Sequence, residues 1–301
     1  MKNNYNRSPL FYMGDKYKLL PELVSYFPPN INRFVEPFTG GGSVFLNVKA
    51  KTYLLNDIDK HIIEVHKLLK KYSKKPKDFF KETERIIIKY NLSRSYKENV
   101  VPKKLKEKWP KTYYAHYNKQ FYLKLRDNFN KEEPKDYLKA YILLIYGFNR
   151  IMRFNSLGKF NLPVGNVDFN KNVFAALEKY FNVIPKKKVI FSTKDYFKFL
   201  NNISYEKDDF IYADPPYLIT FGEYNKFWNS DEELKLLRLL DNLNKKKVKW
   251  ALSNVIEYKK KKNELLNSWM KKYYHKKIKS NYISFNDNSI KNFKEVLVIN
   301  Y

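Results

Sequence analysis

Three consecutive glycines, Gly40-Gly41-Gly42, stand in a chain of 301 residues that has only eight. They follow Arg33-Phe34-Val35-Glu36, which reads as the start of a strand, and precede Val44-Phe45-Leu46, which is expected to begin a helix. Glycine serves where backbone must turn tightly or let something approach closely. Strand, glycine loop and helix in succession commonly cradle a nucleotide-like ligand, and they commit the chain to an α/β architecture. The next strand, Tyr53-Leu54-Leu55, runs into Asn56-Asp57-Ile58-Asp59, which puts Asp57 seventeen residues beyond Gly40. An acid at the end of a second strand, at roughly that distance from the glycines, can accept hydrogen bonds from ribose hydroxyls. A structural turn with a solvated acid is the plainer alternative.

A further apolar run, Phe210-Ile211-Tyr212-Ala213, reads as a buried strand and is closed by Asp214-Pro215-Pro216-Tyr217. Two prolines lack N–H donors and stop the ladder where the carboxylate emerges. An acid and an aromatic thus sit at a strand's C-terminal edge, where open α/β sheets bind ligands. Taken alone, the same four residues also suit an ordinary Asp-Pro turn.

From Lys60 to about Asn170 the texture changes. Ile62, Val65 and Leu69 form one helical stripe, Phe79, Phe80, Thr83, Ile86 and Ile87 another, and residues 137–148 are apolar enough for a buried helix. Residues 91–114, rich in Lys, Ser and Pro, read as a long basic loop. Strands resume at Val189-Ile190-Phe191, followed by Asp195-Tyr196 and the Asp214 strand. A helix then carries Leu236, Leu240 and Leu243 on one face, with Ser230 and Glu233 expected to form its capping box. Val248 to Ser253 and Glu295 to Ile299 are further strands, with Trp269 in a helix between them. Strands alternating with helices on both sides of an insertion predict one discontinuous, mostly parallel sheet domain, residues 1–59 and 171–301, interrupted by a helical domain, residues 60–170.

The chain carries 59 Lys and Arg against 31 Asp and Glu, a net charge of +28, with 26 Tyr, 23 Phe and 4 Trp. Such a field attracts polyanions, and interleaved aromatics suit base stacking, so nucleic acid is the leading partner. Biased coding composition is the bland account of the lysines. There is no cysteine, which excludes disulfides and thiolate metal sites. His61, His66, His116 and His275 show no metal-ligand spacing and are expected on the surface, so no metal is called. The longest apolar run, residues 141–148, is too short to span a bilayer, and no signal h-region opens the sequence. A cytoplasmic protein without membrane association is expected.

Phe11-Tyr12-Met13-Gly14-Asp15-Lys16, Val35 through Phe45, Asn56-Asp57 and Asp214-Pro215-Pro216-Tyr217, in this order, resemble the motifs of the Dam-type, α-group (D12 class) DNA adenine-N6 methyltransferases. Leu125-Arg126-Asp127-Asn128-Phe129-Asn130 and the run from Gly147 to Pro163 are similar to that family's recognition segments, and the resemblance covers nearly the whole chain. It implies a Rossmann-like class I methyltransferase fold with a mostly parallel seven-stranded sheet and an inserted, mainly helical target-recognition domain. It also implies S-adenosyl-L-methionine as cofactor, double-stranded DNA as substrate and base flipping. On this basis Asp214, Pro215, Pro216 and Tyr217 are the catalytic residues. Asp214 and the Pro215 carbonyl would accept the two hydrogens of adenine N6, and Tyr217 would offer a face to the extruded base. Tyr12, Lys16, Glu36, Pro37, Phe38, Gly40, Gly42, Asp57, Ile58, Asp195, Tyr196 and Asp214 are the cofactor-binding residues. Arg126, Asn149, Arg150, Arg153, Asn155, Lys159 and Asn161 are the DNA-binding residues, with Asn149, Asn155 and Asn161 equally suited to holding their own loop together.

The pattern also departs from the family. Asn149-Arg150 stands where GATC-reading members carry Asn-Gly, Asn166-Val167 where they carry an arginine and an aromatic, and Asp15 where a glycine is common. A GATC target therefore does not follow. The expected role is a modification enzyme of a restriction system, with a cognate endonuclease encoded nearby, or a phage or orphan methylase, acting as a monomer. The alternatives are an RNA adenine-N6 methyltransferase and a non-catalytic nucleic-acid-binding protein on the same fold.

Overall fold

The computed structural model describes residues 5–98, 100–220, 228–279 and 293–301. In chain order the elements begin with α1 (Leu20–Ser25), β1 (Arg33–Glu36), β2 (Thr52–Asn56), α2 (Lys60–Tyr72), α3 (Pro76–Lys89), α4 (Lys103–Lys108), α5 (Tyr113–Lys131), α6 (Tyr137–Tyr146) and α7 (Lys171–Val183). There follow β3 (Lys188–Ser192), α8 (Tyr196–Asn201), β4 (Phe210–Ala213), α9 (Ser230–Lys245), β5 (Lys249–Tyr258), β6 (Lys261–Lys262), α10 (Glu264–Trp269), β7 (Tyr274–Ile278) and β8 (Phe293–Ile299). They divide between two compact units. A sheet unit comprises Lys16–Thr39, Asn47–Ile58 and Lys188–Tyr301, and a helical unit comprises Met1–Asp15, Gly40–Leu46 and Asp59–Lys187.

The strand order of the sheet unit is β3-β2-β1-β4-β5-β8-β7, with the two-residue β6 beside β5. Neighbours from β3 to β5 run parallel, whereas β8 is antiparallel to both β5 and β7. This is the mostly parallel, Rossmann-like sheet that the motifs imply. The chain moves outward from β1 through β2 to β3, then returns to β4 on the other side of β1. The C-terminal ends of β1 and β4 therefore flank a topological switch point, where such sheets bind their ligands. All four residues of β4 are buried, which explains its unbroken apolar run. Leu236, Leu240 and Leu243 of α9 join Val35, Ile211, Trp250, Leu252, Val296 and Val298 in one core. Each such leucine stabilises the fold by about 1.5–3 kcal/mol through burial. Trp250 stacks on Trp269 at 5.6 Å, and its indole N–H donates to the Leu240 carbonyl at 3.0 Å.

In the helical unit, Ile62, Val65 and Leu69 are wholly buried, and Phe79, Thr83, Ile86 and Ile87 are buried on α3. Nearly every residue of α6 is buried, as expected of a helix apolar on all sides. Phe79 meets Tyr141 and Phe181 edge-on, at 5.7 and 5.1 Å, tying α3 to α6 and α7.

Five local features differ from expectation. Val44-Phe45-Leu46 forms successive turns and no regular helix. The cap of α9 is Asn229, whose side chain accepts from the Glu232 N–H at 3.0 Å, and Glu233 lies fully buried. Ser230 and Asn229 are both good caps, and one residue of phase decides between them. His66 is fully buried and His61 half-buried, leaving His116 and His275 exposed. The basic stretch before Tyr113 contains α4, and β7 was not anticipated. No helix among the described residues is long and apolar enough to cross a membrane.

Candidate active site and nucleic-acid interface

Within the sheet unit, Asn56 holds the strand ends together. Its side-chain amide donates to the carbonyls of Pro37 (3.1 Å) and Lys194 (2.8 Å), and its oxygen accepts from the Lys194 N–H at 2.9 Å. Its backbone carbonyl accepts from Thr39 at 2.9 Å. One buried amide thus fixes the segments that follow β1, β2 and β3. Glu36 closes β1, Asp57 follows β2, and Asp214 follows β4. Ile58, the neighbour of Asp57, is 74% exposed.

Asp214 is bound on both oxygens. Oδ2 pairs with Lys16 Nζ at 2.6 Å and Oδ1 accepts from the Tyr217 hydroxyl at 2.8 Å. The same hydroxyl lies 3.2 Å from Glu295 Oε1, Lys16 Nζ is 3.8 Å from that oxygen, and Nζ sits 5.2 Å from the centre of the Tyr217 ring. Lys16 is buried, an expensive place for an ammonium unless carboxylates surround it. Glu36 is buried beside it, and its Oε2 has no hydrogen-bond partner. Burial, reinforced by the charges of Asp214 and Asp57 and opposed by Lys16, holds the Glu36 carboxyl well above the usual range. Burial likewise pushes Glu295 up to about 7. The ends of β1, β2 and β4 thus carry Glu36, Asp57 and Asp214, an acid-rich edge suited to a cationic ligand.

Asp195 caps α8, its Oδ1 accepting from the N–H groups of Phe197 and Lys198, both at 3.1 Å. Tyr196 donates its hydroxyl to Glu232 Oε2 at 2.9 Å and packs against Phe38 and Trp228 at 5.1 and 5.6 Å between ring centres. Phe38 meets Trp228 edge-on at 5.7 Å, which completes an aromatic group beside the end of β1. Trp228 is fixed by its indole N–H, which donates to Glu233 Oε2 at 2.7 Å.

In the helical unit the glycines answer to the protein's own packing. Gly40 and Gly42 have φ of +46° and +73°. A Cβ on Gly41 would lie 2.7 Å from the Cβ of Tyr12, and one on Gly42 would lie 2.4 Å from the Phe45 ring. Tyr12 is buried, His66 Nε2 lies 2.8 Å from the Gly40 carbonyl, and the Ser8 hydroxyl donates to the Gly41 carbonyl.

The run from Gly147 to Pro163, expected to recognise DNA, also lies in the helical unit. Asn155 Oδ1 accepts from the N–H groups of Leu157 (3.0 Å) and Lys159 (2.9 Å). Asn161 receives Arg153 on its side-chain oxygen (Nε, 2.9 Å) and its carbonyl (Nη2, 2.7 Å). Both asparagines therefore shape the loop, and Arg153 is held in a fixed pose. Asn149 and Arg150 both have positive φ, 55° and 51°, uncommon for an arginine. The Arg150 guanidinium stacks on the Phe11 ring at 4.6 Å, as does that of Arg7 at the same distance, and burial lowers the pKa of Arg150. Arg126 lies 3.8 Å from Asp127, Asn149 is exposed, and Lys159 extends into solvent.

The structure thus brings Lys16, Glu36, Asp57, Asp214 and Tyr217 together at the sheet edge. The sequence reading gave Trp228 and Glu295 no role, took Glu233 for a capping residue and His66 for a surface one, and met Asn56 only as the neighbour of Asp57. A charge opening an otherwise apolar strand, as at Glu295-Val296-Leu297-Val298-Ile299, was the one signal available for Glu295.

Similar proteins include the type II methyltransferase M.FokI of Planomicrobium okeanokoites, 35% identical over 99% of this chain and 43% of that protein. The modification methylase StsI of Streptococcus sanguinis is 34% identical over 99% of this chain and 43% of its own length. The chain thus spans about two-fifths of these relatives. A DNA adenine methylase of Vibrio cholerae is 29% identical over 70% of this chain and 65% of that protein. Residues 12–283 match the model of the D12 class N6 adenine-specific DNA methyltransferases. With that match across most of its length and relatives above 30% identity, the chain belongs to this family.

Proposed function

We propose that the protein is a site-specific DNA adenine-N6 methyltransferase that uses S-adenosyl-L-methionine. The observation that carries this reading is Asp214 at the end of β4, locked by Lys16 and Tyr217, with Glu36 and Asp57 ending the neighbouring strands. The acid-rich surroundings, with the orphaned Glu36 oxygen, fit a cofactor that carries a sulfonium and an α-amino group. When bound, that cofactor supplies an electrophilic methyl group.

The chain's own residues do the rest. A carboxylate offers roughly four lone-pair sites, so Asp214 keeps capacity after binding Lys16 and Tyr217. With the Pro215 carbonyl it accepts the N6 hydrogens of a flipped adenine, leaving the N6 lone pair aimed at the methyl group. Preorganised acceptors that strengthen as charge develops on N6 are commonly worth a few kcal/mol in the transition state. Asp57 holds the ribose, Phe38 and Tyr196 flank the cofactor, and Tyr12, Gly40 and Gly42 complete the binding motif. The sheet-bearing segments perform the chemistry and the helical insertion selects the target, with Arg153 as base reader and Arg126 and Lys159 on phosphates. Because relatives are named as modification methylases, the mark is proposed to protect a short duplex site from a cognate nuclease.

Incubation with labelled S-adenosylmethionine and adenine-unmethylated duplex DNA of mixed sequence tests this. Label on DNA adenine is expected, Asp214→Ala abolishing transfer while DNA binding persists. Transfer to structured RNA and none to duplex would overturn the assignment.

A further inference from the structure

Among the described residues, Glu295 is a fully buried acid at the sheet edge that the mechanism above leaves without a task. It is the third residue of β8, opposite Val255 of β5 and Ile278 of β7, so its cross-strand neighbours are apolar. The groups that face it come from elsewhere: Lys16, Asp214 and Tyr217 at the site, Glu22 of α1, and Tyr212 of β4. Oε1 meets Tyr217 and Lys16, and Oε2 has no partner. Two carboxyls thus share one phenol, at 2.8 and 3.2 Å, which is the arrangement of a proton relay.

We propose that Glu295 is the terminal proton acceptor of methyl transfer, reached from Asp214 through the Tyr217 hydroxyl. The inference rests on the adenine-N6 reading above. As the N6 lone pair forms the N–CH3 bond, the sulfonium C–S bond breaks and its electron pair stays on sulfur, leaving a neutral thioether. N6 then carries one proton too many. Asp214 takes that proton and passes it to the Tyr217 oxygen while Tyr217 delivers its own to Glu295 Oε1. The products are neutral N6-methyladenine, an ionised Asp214 restored to its pairing with Lys16, and a neutral Glu295. Burial and the Asp214 charge raise Glu295 to about 7 despite Lys16, so its carboxyl can hold the delivered proton near neutrality. The same carboxyl in its ionised form supports Lys16 before each turnover, so Glu295 positions the ammonium as well as receiving the proton.

The test is single-turnover methyl transfer by the full chain to adenine-unmethylated DNA between pH 5.5 and 8.5, with cofactor affinity measured by calorimetry. The wild-type rate should rise with pH through a limb near 7, where Glu295 becomes able to accept. In Glu295→Gln that limb should vanish and the plateau rate fall on the order of 100-fold, with cofactor affinity unchanged. Glu295→Asp should retain the limb. A Glu295→Gln protein with the wild-type limb and rate, or one whose rate loss is matched by lost cofactor affinity, would overturn the relay. Should that variant not fold, Tyr217→Phe keeps the ring and deletes the linking oxygen, and is judged by the same two criteria. A wild-type protein that methylates no DNA adenine overturns the functional reading itself. An active wild type with an unaltered variant overturns only the relay.

Discussion

Replacing Glu233 by glutamine isolates the buried carboxylate that organises the aromatic group near β1. Its Oε1 accepts from the side-chain amides of Asn254 (2.9 Å) and Asn263 (3.0 Å), and Oε2 accepts from the Trp228 indole at 2.7 Å. Asn263 in turn caps α10 by accepting from the Leu266 N–H at 3.1 Å. Glutamine has a single acceptor oxygen. Kept on the two asparagines, that oxygen leaves an NH2 facing the indole N–H, donor against donor. The loss of one hydrogen bond to a charged acceptor costs about 1.5–3 kcal/mol, less the relief of burying no charge. Glu233→Ala strands three donors and should cost roughly 3–6 kcal/mol. Urea denaturation followed by far-ultraviolet circular dichroism measures both. With the indole loosened from Phe38 and Tyr196, cofactor binding by folded Glu233→Gln should also weaken. A glutamine variant within about 0.5 kcal/mol of wild type, the range of an ordinary surface change, would refute the reasoning.

Gly42→Ala should cost at least about 2 kcal/mol, since its Cβ meets Phe45 and its φ is positive. Gly14→Ala, with positive φ but open space, should cost only about 1 kcal/mol, as thermal melting would show. Glu295 titrates from 4.5 unfolded to about 7 folded, so its contribution to stability is complete below pH 4.5 and is lost as pH rises through 7. That amounts to about 3 kcal/mol, and the difference in denaturation free energy between wild type and Glu295→Gln should change by that much between pH 4.5 and 8. Arg153→Ala should reduce discrimination between matched and mismatched duplexes on the order of tenfold. Lys159→Ala should instead lower the salt dependence of DNA binding by about one unit of slope without changing the chosen site.

Elements whose burial demands apolar residues were legible in the sequence. β4 is buried on both faces and reads as an unbroken run, and α2 and α3 show their buried stripes. β7 left no such trace. Four of its five residues are exposed, and its Tyr274-His275-Lys276-Lys277 is the composition of a protected sheet edge. The apolar run Val44-Phe45-Leu46 misled for the converse reason. Its side chains are buried from a series of turns, and hydrophobicity alone does not distinguish turn from helix. At the sheet edge, Asp214 and Asp57 stood out because prolines and strand ends mark them. Asn56 did not, since nothing local says that an amide beside an acid turns inward to bind two other segments. Glu295 and Glu233 are ordinary acids in sequence, and only the tertiary fold removes water from them.

β8 lies between β5 and β7, although both precede it in the chain. During synthesis β5 must wait for its antiparallel neighbour until residue 299 is made, 41 residues after its own last residue, Tyr258. At roughly 5–20 residues per second that is an interval of about 2–8 seconds. Throughout it, an apolar strand presents an unsatisfied ladder edge to other nascent chains. The lysines at 259–262 that follow β5, and Lys276 and Lys277 on β7, supply charge beside that edge, as gatekeeper residues do. Glu295 arrives on this strand, so the carboxyl beside Lys16 and Tyr217 reaches the site only when β8 joins the sheet. A ribosome-bound chain that has not reached it holds a lysine and a phenol with one partner missing, and completion of the sheet and of the site around Asp214 becomes a single event.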